Sequence, residues 1–178
     1  IKKKTNQDSV LIQEASTDYG QILLAVVCDG MGGLAKGEVA SACMIRAFSD
    51  WFRLELPSMI SAGLRPEALR SSWEMLVRRV DQKIGDYSYA NNVTMGTTCA
   101  ALLIVGETYY IMNIGDSRIY HIRPSLPEGK RILHVTRDHS LVNDLIAIGE
   151  MTPQEAKTSS QRNVITRAMQ PCQERRSR

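Results

Sequence analysis

A chain of 178 residues with 43% hydrophobic and 23% charged side chains has the size and composition of one soluble globular domain with a sizeable core. The formal charge of +3 belongs to the ends: Lys2, Lys3 and Lys4 and the final QERRSR carry more than all of it, leaving the body slightly acidic. That excludes a broad basic face for nucleic acid, and no apolar run is long enough to span a bilayer. No apolar segment follows the basic start, so a secretory signal is not expected. Four cysteines spread without CxxC spacing read as reduced thiols, placing the protein in the cytoplasm.

In chain order, residues 8–13 (DSVLIQ) and 21–28 (QILLAVVC) read as two strands joined by a turn around Thr17-Asp18-Tyr19-Gly20. Val39, Ala40, Cys43, Met44, Ala47, Phe48 and Trp51 then recur at three- and four-residue spacing, predicting a helix over about 37–52. Pro57, Gly63 and Pro66 mark a loop. A second amphipathic helix follows, with Leu69, Trp73, Leu76, Val77, Val80 and Ile84 on its apolar face, running to about Tyr89. From Thr97 the period changes: TTCAALLIV, TYYIMNI, SRIYHIR and RILHVT read as four strands of one antiparallel meander. A short helix over about 139–148 stops at Gly149, and Thr152-Pro153 reads as a cap and first position of another. The pattern is α+β with mainly antiparallel sheet.

Three strand ends carry an acid. VVCDGMGG ends an apolar run on Asp29, followed by glycines that let the backbone turn sharply or approach a ligand closely. A carboxylate with the adjacent Gly30 carbonyl suits Mg²⁺ or Mn²⁺, and Asp-Gly is equally a turn dipeptide. YIMNIGDSR repeats the arrangement at Asp116, and NQDS places Asp8 at the start of a strand. Cys28, beside Asp29, is a poor nucleophile because a neighbouring carboxylate disfavours the thiolate. No HExxH, Walker loop or GxSxG elbow is present.

The ordered set NQDS, VVCDGMGG, GTTCAALLI, YIMNIGDSRIY, TRDHSLV and NVITRA resembles the metal-dependent protein phosphatases, the type 2C serine/threonine phosphatases or PPM family, in their bacterial form. The resemblance implies an αββα four-layer sandwich of two antiparallel sheets flanked by helices. It also implies hydrolysis of phosphoserine and phosphothreonine by a water activated between two Mn²⁺ or Mg²⁺ ions. By resemblance, Asp29 bridges the metals, Gly30 binds one through its carbonyl, Asp8 holds a metal-bound water, and Asp116 binds a third metal. Lys3 stands where the family has a phosphate-gripping Arg, keeping the charge but losing the bidentate fork. Gln7 stands in place of a Glu and Met31 in place of a His of the eukaryotic branch. Two later aspartates of the family have no counterpart before Arg178, so the fold is expected to lack its C-terminal part and activity to be impaired. The chain then reads as a single incomplete domain over 1–178, with 149–162 as the flap beside the family's active site. Implied partners are phosphorylated protein substrates and a cognate serine/threonine kinase, with no nucleic acid and no membrane insertion. A catalytically inactive module of the same fold, binding phosphoproteins, is the alternative.

Overall fold

The computed structural model describes residues 5–18, 20–31 and 36–169. Its centre is a four-stranded antiparallel sheet in the order β1-β2-β5-β6. Strands β1 (Ser9–Thr17) and β2 (Gly20–Cys28) form the first hairpin, in register from Ser9 opposite Cys28 to Thr17 opposite Gly20. Gly20 takes φ +109° at the turn, a conformation that disfavours side chains. Strands β5 (Cys99–Val105) and β6 (Thr108–Ile114) form the second hairpin, turning at Gly106, with β5 laid antiparallel against β2.

Between the hairpins the chain makes α1 (Gly37–Leu54), α2 (Leu56–Ser61) and α3 (Pro66–Asn91). Alternation along β2 sends Ile22, Leu24, Val26 and Cys28 to one face, all buried, and the helices cover that face. Met44, Phe48 and Trp51 from α1 meet Leu69, Trp73, Leu76, Val80 and Ile84 from α3 over it. The rings of Phe48, Trp51 and Trp73 meet edge to face at centroid distances of 5.7–6.4 Å. Trp51 donates its buried indole N–H to Ser72 Oγ at 2.7 Å, and Ser72 in turn donates to Glu55, tying α1 to α3.

Both long helices occupy the expected segments, each a few residues longer. Pro57 is not in a loop: it occupies the first turn of α2, where a missing backbone N–H has no intrahelical partner to lose. The four-strand meander divides. β5 and β6 join the main sheet, whereas β7 (Tyr120–Ile122) and β8 (Ile132–His134) form a separate two-stranded sheet. Its His121 ring meets Tyr109 of β6 edge to face at 6.0 Å. A third ladder pairs β3 (Gly30–Met31) with β4 (Gly96–Thr97), and Met169 bridges to Thr97 beside it. Two short helices follow, α4 (Leu141–Ala147) and α5 (Pro153–Thr158). The expected cap is present: Thr152 accepts from the Glu155 amide while the Glu155 carboxylate accepts from the Thr152 amide. Among the described residues, no helix is long and apolar enough to cross a membrane.

Candidate active site

The strand order decides where the acidic strand ends fall. In β1-β2-β5-β6 the start of β1, the end of β2, the start of β5 and the end of β6 all lie along one edge. Asp8, Asp29, Thr98 and Gly115-Asp116 are the residues just beyond those four points. The β1–β2 pairing continues past its last registered pair, since the Gly30 amide donates to the Gln7 carbonyl at 3.2 Å. Asp8 and Asp29 therefore face each other at one interstrand spacing, about 5 Å, while Gly115, the residue before Asp116, lies two spacings from Asp29, about 10 Å.

Asp29 is fixed through its backbone. Its amide donates to Thr98 Oγ1 at 3.0 Å, and its carbonyl accepts from the Thr98 amide at 2.9 Å and from Thr97 Oγ1 at 3.1 Å. The residue itself is exposed, as is Asp8, so neither carboxylate bears the cost of burial that the apolar run before Asp29 suggests. Gly30 is buried against the start of α1. A Cβ there would sit 2.3 Å from the Gln7 carbonyl oxygen and 2.4 Å from that of Gly37. A Cβ on Gly37 would reciprocally meet Gly30 at 2.7 Å. This contact between two glycines seats the N-terminus of an 18-residue helix beside the acidic edge, where the helix dipole favours negative charge.

Glu38 and Ser41 at this edge escaped the sequence reading, as did the part played by Thr98. Glu38, in the first turn of α1, accepts from Gln7 Nε2 at 3.4 Å. A carboxylate therefore approaches the position where Gln7 replaces one, supplied from 31 residues away. Ser41, fully buried, donates to the Gln7 carbonyl at 2.7 Å and shares a 2.9 Å hydrogen bond with Ser9, holding β1 against α1. An acid directly after the glycine that opens a helix was the signal for Glu38; Ser41 gave none.

The Asp116 loop is clamped from two sides. Gly115 adopts φ +105°, and a Cβ there would meet the Thr98 side chain at 2.6 Å. Its amide donates to His139 Nδ1 at 3.1 Å and its carbonyl accepts from the His139 amide at 2.9 Å. Two residues on, Arg118 donates to both oxygens of Asp138, a carboxylate only 5% exposed. The hydrogen bonds that Arg118 donates to Asp138 hold its guanidinium above its already high ordinary pKa, so a buried charge has its paired partner. Partial burial lowers the pKa of His139, which keeps its ring neutral and able to accept from Gly115.

The structure thus brings Asp8, Asp29, Gly30 and Asp116 to one edge without merging them. Among the described residues, no three His, Cys, Asp or Glu side chains converge closely enough to hold a metal ion. Lys3 lies outside the described residues. Cys28 and Cys99, one beyond the last registered pair of β2 and β5, are buried and free; their mutual hydrogen bond and burial push the Cys99 thiol pKa up, which removes it as a nucleophile.

The family model for protein phosphatase 2C matches residues 1–168. The chain belongs to the protein phosphatase 2C family. It is 31% identical over 148 residues to the serine/threonine phosphatase Stp of Listeria monocytogenes, covering 82% of this chain and 55% of that one. Among solved structures, serine/threonine phosphatase Stp1 from Staphylococcus aureus superimposes with a TM-score of 0.74 at 33% identity, over 94% of this chain and 61% of that one. The catalytic domain of PstP in complex with two manganese ions matches with a TM-score of 0.68 at 30% identity, over 95% of this chain and 62% of that one. This protein phosphatase 2C chain therefore spans a little over half the length of the relatives it matches. Its α+β fold, with antiparallel sheets and helices, is that of the bacterial members.

Proposed function

We propose that the chain is part of a metal-dependent protein serine/threonine phosphatase acting on phosphoserine and phosphothreonine in proteins. The observation that supports this most is the alignment of Asp8, Asp29 and Asp116 along one sheet edge, with the Asp29 backbone held by three hydrogen bonds. The donors are all hard oxygens, the chemistry Mn²⁺ and Mg²⁺ take, and the two manganese ions of the PstP structure favour Mn²⁺. In number they fall short of a full ligand set, because no three such side chains converge among the described residues. Asp29 and the Gly30 carbonyl would hold cation, Asp8 a water on it, and Asp116 a further cation. Bound in pairs, such ions activate water for attack on a phosphate ester.

The chain's own residues do the rest. Asp29 presents its carboxylate on a backbone that cannot swing, the start of α1 adds a positive potential for phosphate, and Lys3 supplies a point charge for the same group. Residues 149–162, which contain α5, serve as a flap beside the site and a source of substrate selectivity. The protein works in the cytoplasm, opposite a cognate serine/threonine kinase. One observation favours a second reading, a phosphoprotein-binding module without turnover: the described carboxylates do not converge on one point.

The deciding experiment is hydrolysis of a phosphothreonine peptide with and without Mn²⁺, by this chain and by a version extended to the length of its relatives. Mn²⁺-dependent turnover by the extended protein, abolished by Asp29→Asn, is the expected result. An extended protein that is folded, binds the peptide and does not turn it over establishes the binding module instead.

A further inference from the structure

Thr98 stands between the two loops that carry Asp29 and Asp116, fully buried at the junction of β4 and β5. Its hydroxyl oxygen accepts the Asp29 amide at 3.0 Å and lies 2.8 Å from Ser117 Oγ, in hydrogen-bond contact with it. Its own amide returns a 2.9 Å hydrogen bond to the Asp29 carbonyl. The methyl group fills the space beside Gly115: a Cβ on that glycine would come within 2.6 Å of Thr98 Cγ2. One half of the side chain thus engages Asp29 and Ser117 by hydrogen bonding, and the other half packs against the residue preceding Asp116. A buried threonine needs one partner to satisfy its hydroxyl. Here the partners are the backbone of one acidic residue and the immediate neighbour of another.

We infer that Thr98 is a positioning residue that couples the Asp29 strand end to the Asp116 loop and fixes the separation of the two carboxylates. The inference rests on the reading of both aspartates as cation-binding; the coupling itself needs no cation. Valine keeps the shape of threonine and removes the hydroxyl, and serine does the reverse, so the pair separates hydrogen bonding from packing.

The test uses ¹⁵N-labelled protein carrying Thr98→Val, Thr98→Ser or Ser117→Ala. Without metal, Thr98→Val is expected to speed amide hydrogen exchange at Asp29 by roughly fivefold, the loss of one ordinary hydrogen bond, and Thr98→Ser to restore it. Ser117→Ala is expected to shift the Asp29 amide resonance in the wild-type background and not in Thr98→Val. With Mn²⁺, paramagnetic broadening at Asp29 and Asp116 is expected to need about tenfold more metal in Thr98→Val, the usual effect of losing a group that orients a ligand. The inference is overturned if Val and Ser variants behave alike, or if Ser117→Ala acts on Asp29 equally in both backgrounds. Should Thr98→Val not fold, Ser117→Ala decides alone: an unmoved Asp29 amide overturns the coupling, and a shifted one supports it. Coupling without any Mn²⁺ broadening upholds the role of Thr98 and counts against the phosphatase reading.

Discussion

The two faces of the central sheet have the same residue types and opposite surroundings. On the helix side, cross-strand rows such as Leu11–Val26–Ala101–Met112 and Gln13–Leu24–Leu103–Tyr110 pack beneath α1 and α3. On the other side, the row Ile12–Ala25–Leu102–Ile111 is as apolar, yet Ile12 is 70% exposed where Leu24 is wholly buried. Val10 and Tyr109 are open on that side too, and the β7–β8 ladder reaches it at Tyr109. Apolar alternation on both faces of a strand records that both are built for covering, whichever of them the described residues cover.

Truncating one residue on each face tests this most strongly. Leu24→Ala should cost about 3 kcal/mol in urea unfolding, through lost burial and the cavity left behind, whereas Ile12→Ala should change it by less than about 0.5 kcal/mol. Equal costs would mean that the open face is covered in solution. Within the helix layer, Ser72→Ala leaves the buried Trp51 indole N–H unpaired and should cost about 2 kcal/mol, accompanied by a shift in tryptophan fluorescence. Farther from either face, Thr152→Ala removes the cap of α5 and should cost about 1 kcal/mol of local stability, read as faster amide exchange across α5 with the sheet unaffected.

The smallest effect concerns acid. His139 has a folded-state pKa below its ordinary value, from burial first and from the Arg167 charge second. The unfolded chain therefore binds the proton more readily, so the stability His139 contributes is present above pH 6.5 and declines as pH falls through its folded pKa. Tm measured from pH 7.5 to 5.5 should fall less steeply in His139→Asn, whose amide oxygen can still accept from Gly115.

Local periodicity made most of the fold legible. Apolar, β-rich runs between turn residues located β1, β2, β5 and β6, the 3.6-residue period located α1 and α3, and Thr152-Pro153 announced α5 because a cap is a contact within four residues. Separation of β7–β8 from the main sheet was not legible, since the Arg118–Asp138 pair and the Ile119 amide on Thr136 hold that segment across 17–20 residues. At the site, three acids could be seen as strand ends, but their alignment needed the order β1-β2-β5-β6. What Glu38 and Thr98 do could not be read for the same reason: they act through partners 31 and 69 residues away.

The contact between Gly30 and Gly37 has an evolutionary consequence. Each glycine occupies the space that a side chain on the other would need, so neither position can accept a larger residue first and wait for its partner to adjust. Shrinking the neighbour is no remedy, because the neighbour is already the smallest residue there is. Drift at this point of the chain is closed in both directions, and any lineage that retains the seating of α1 against Asp29 must retain both glycines together.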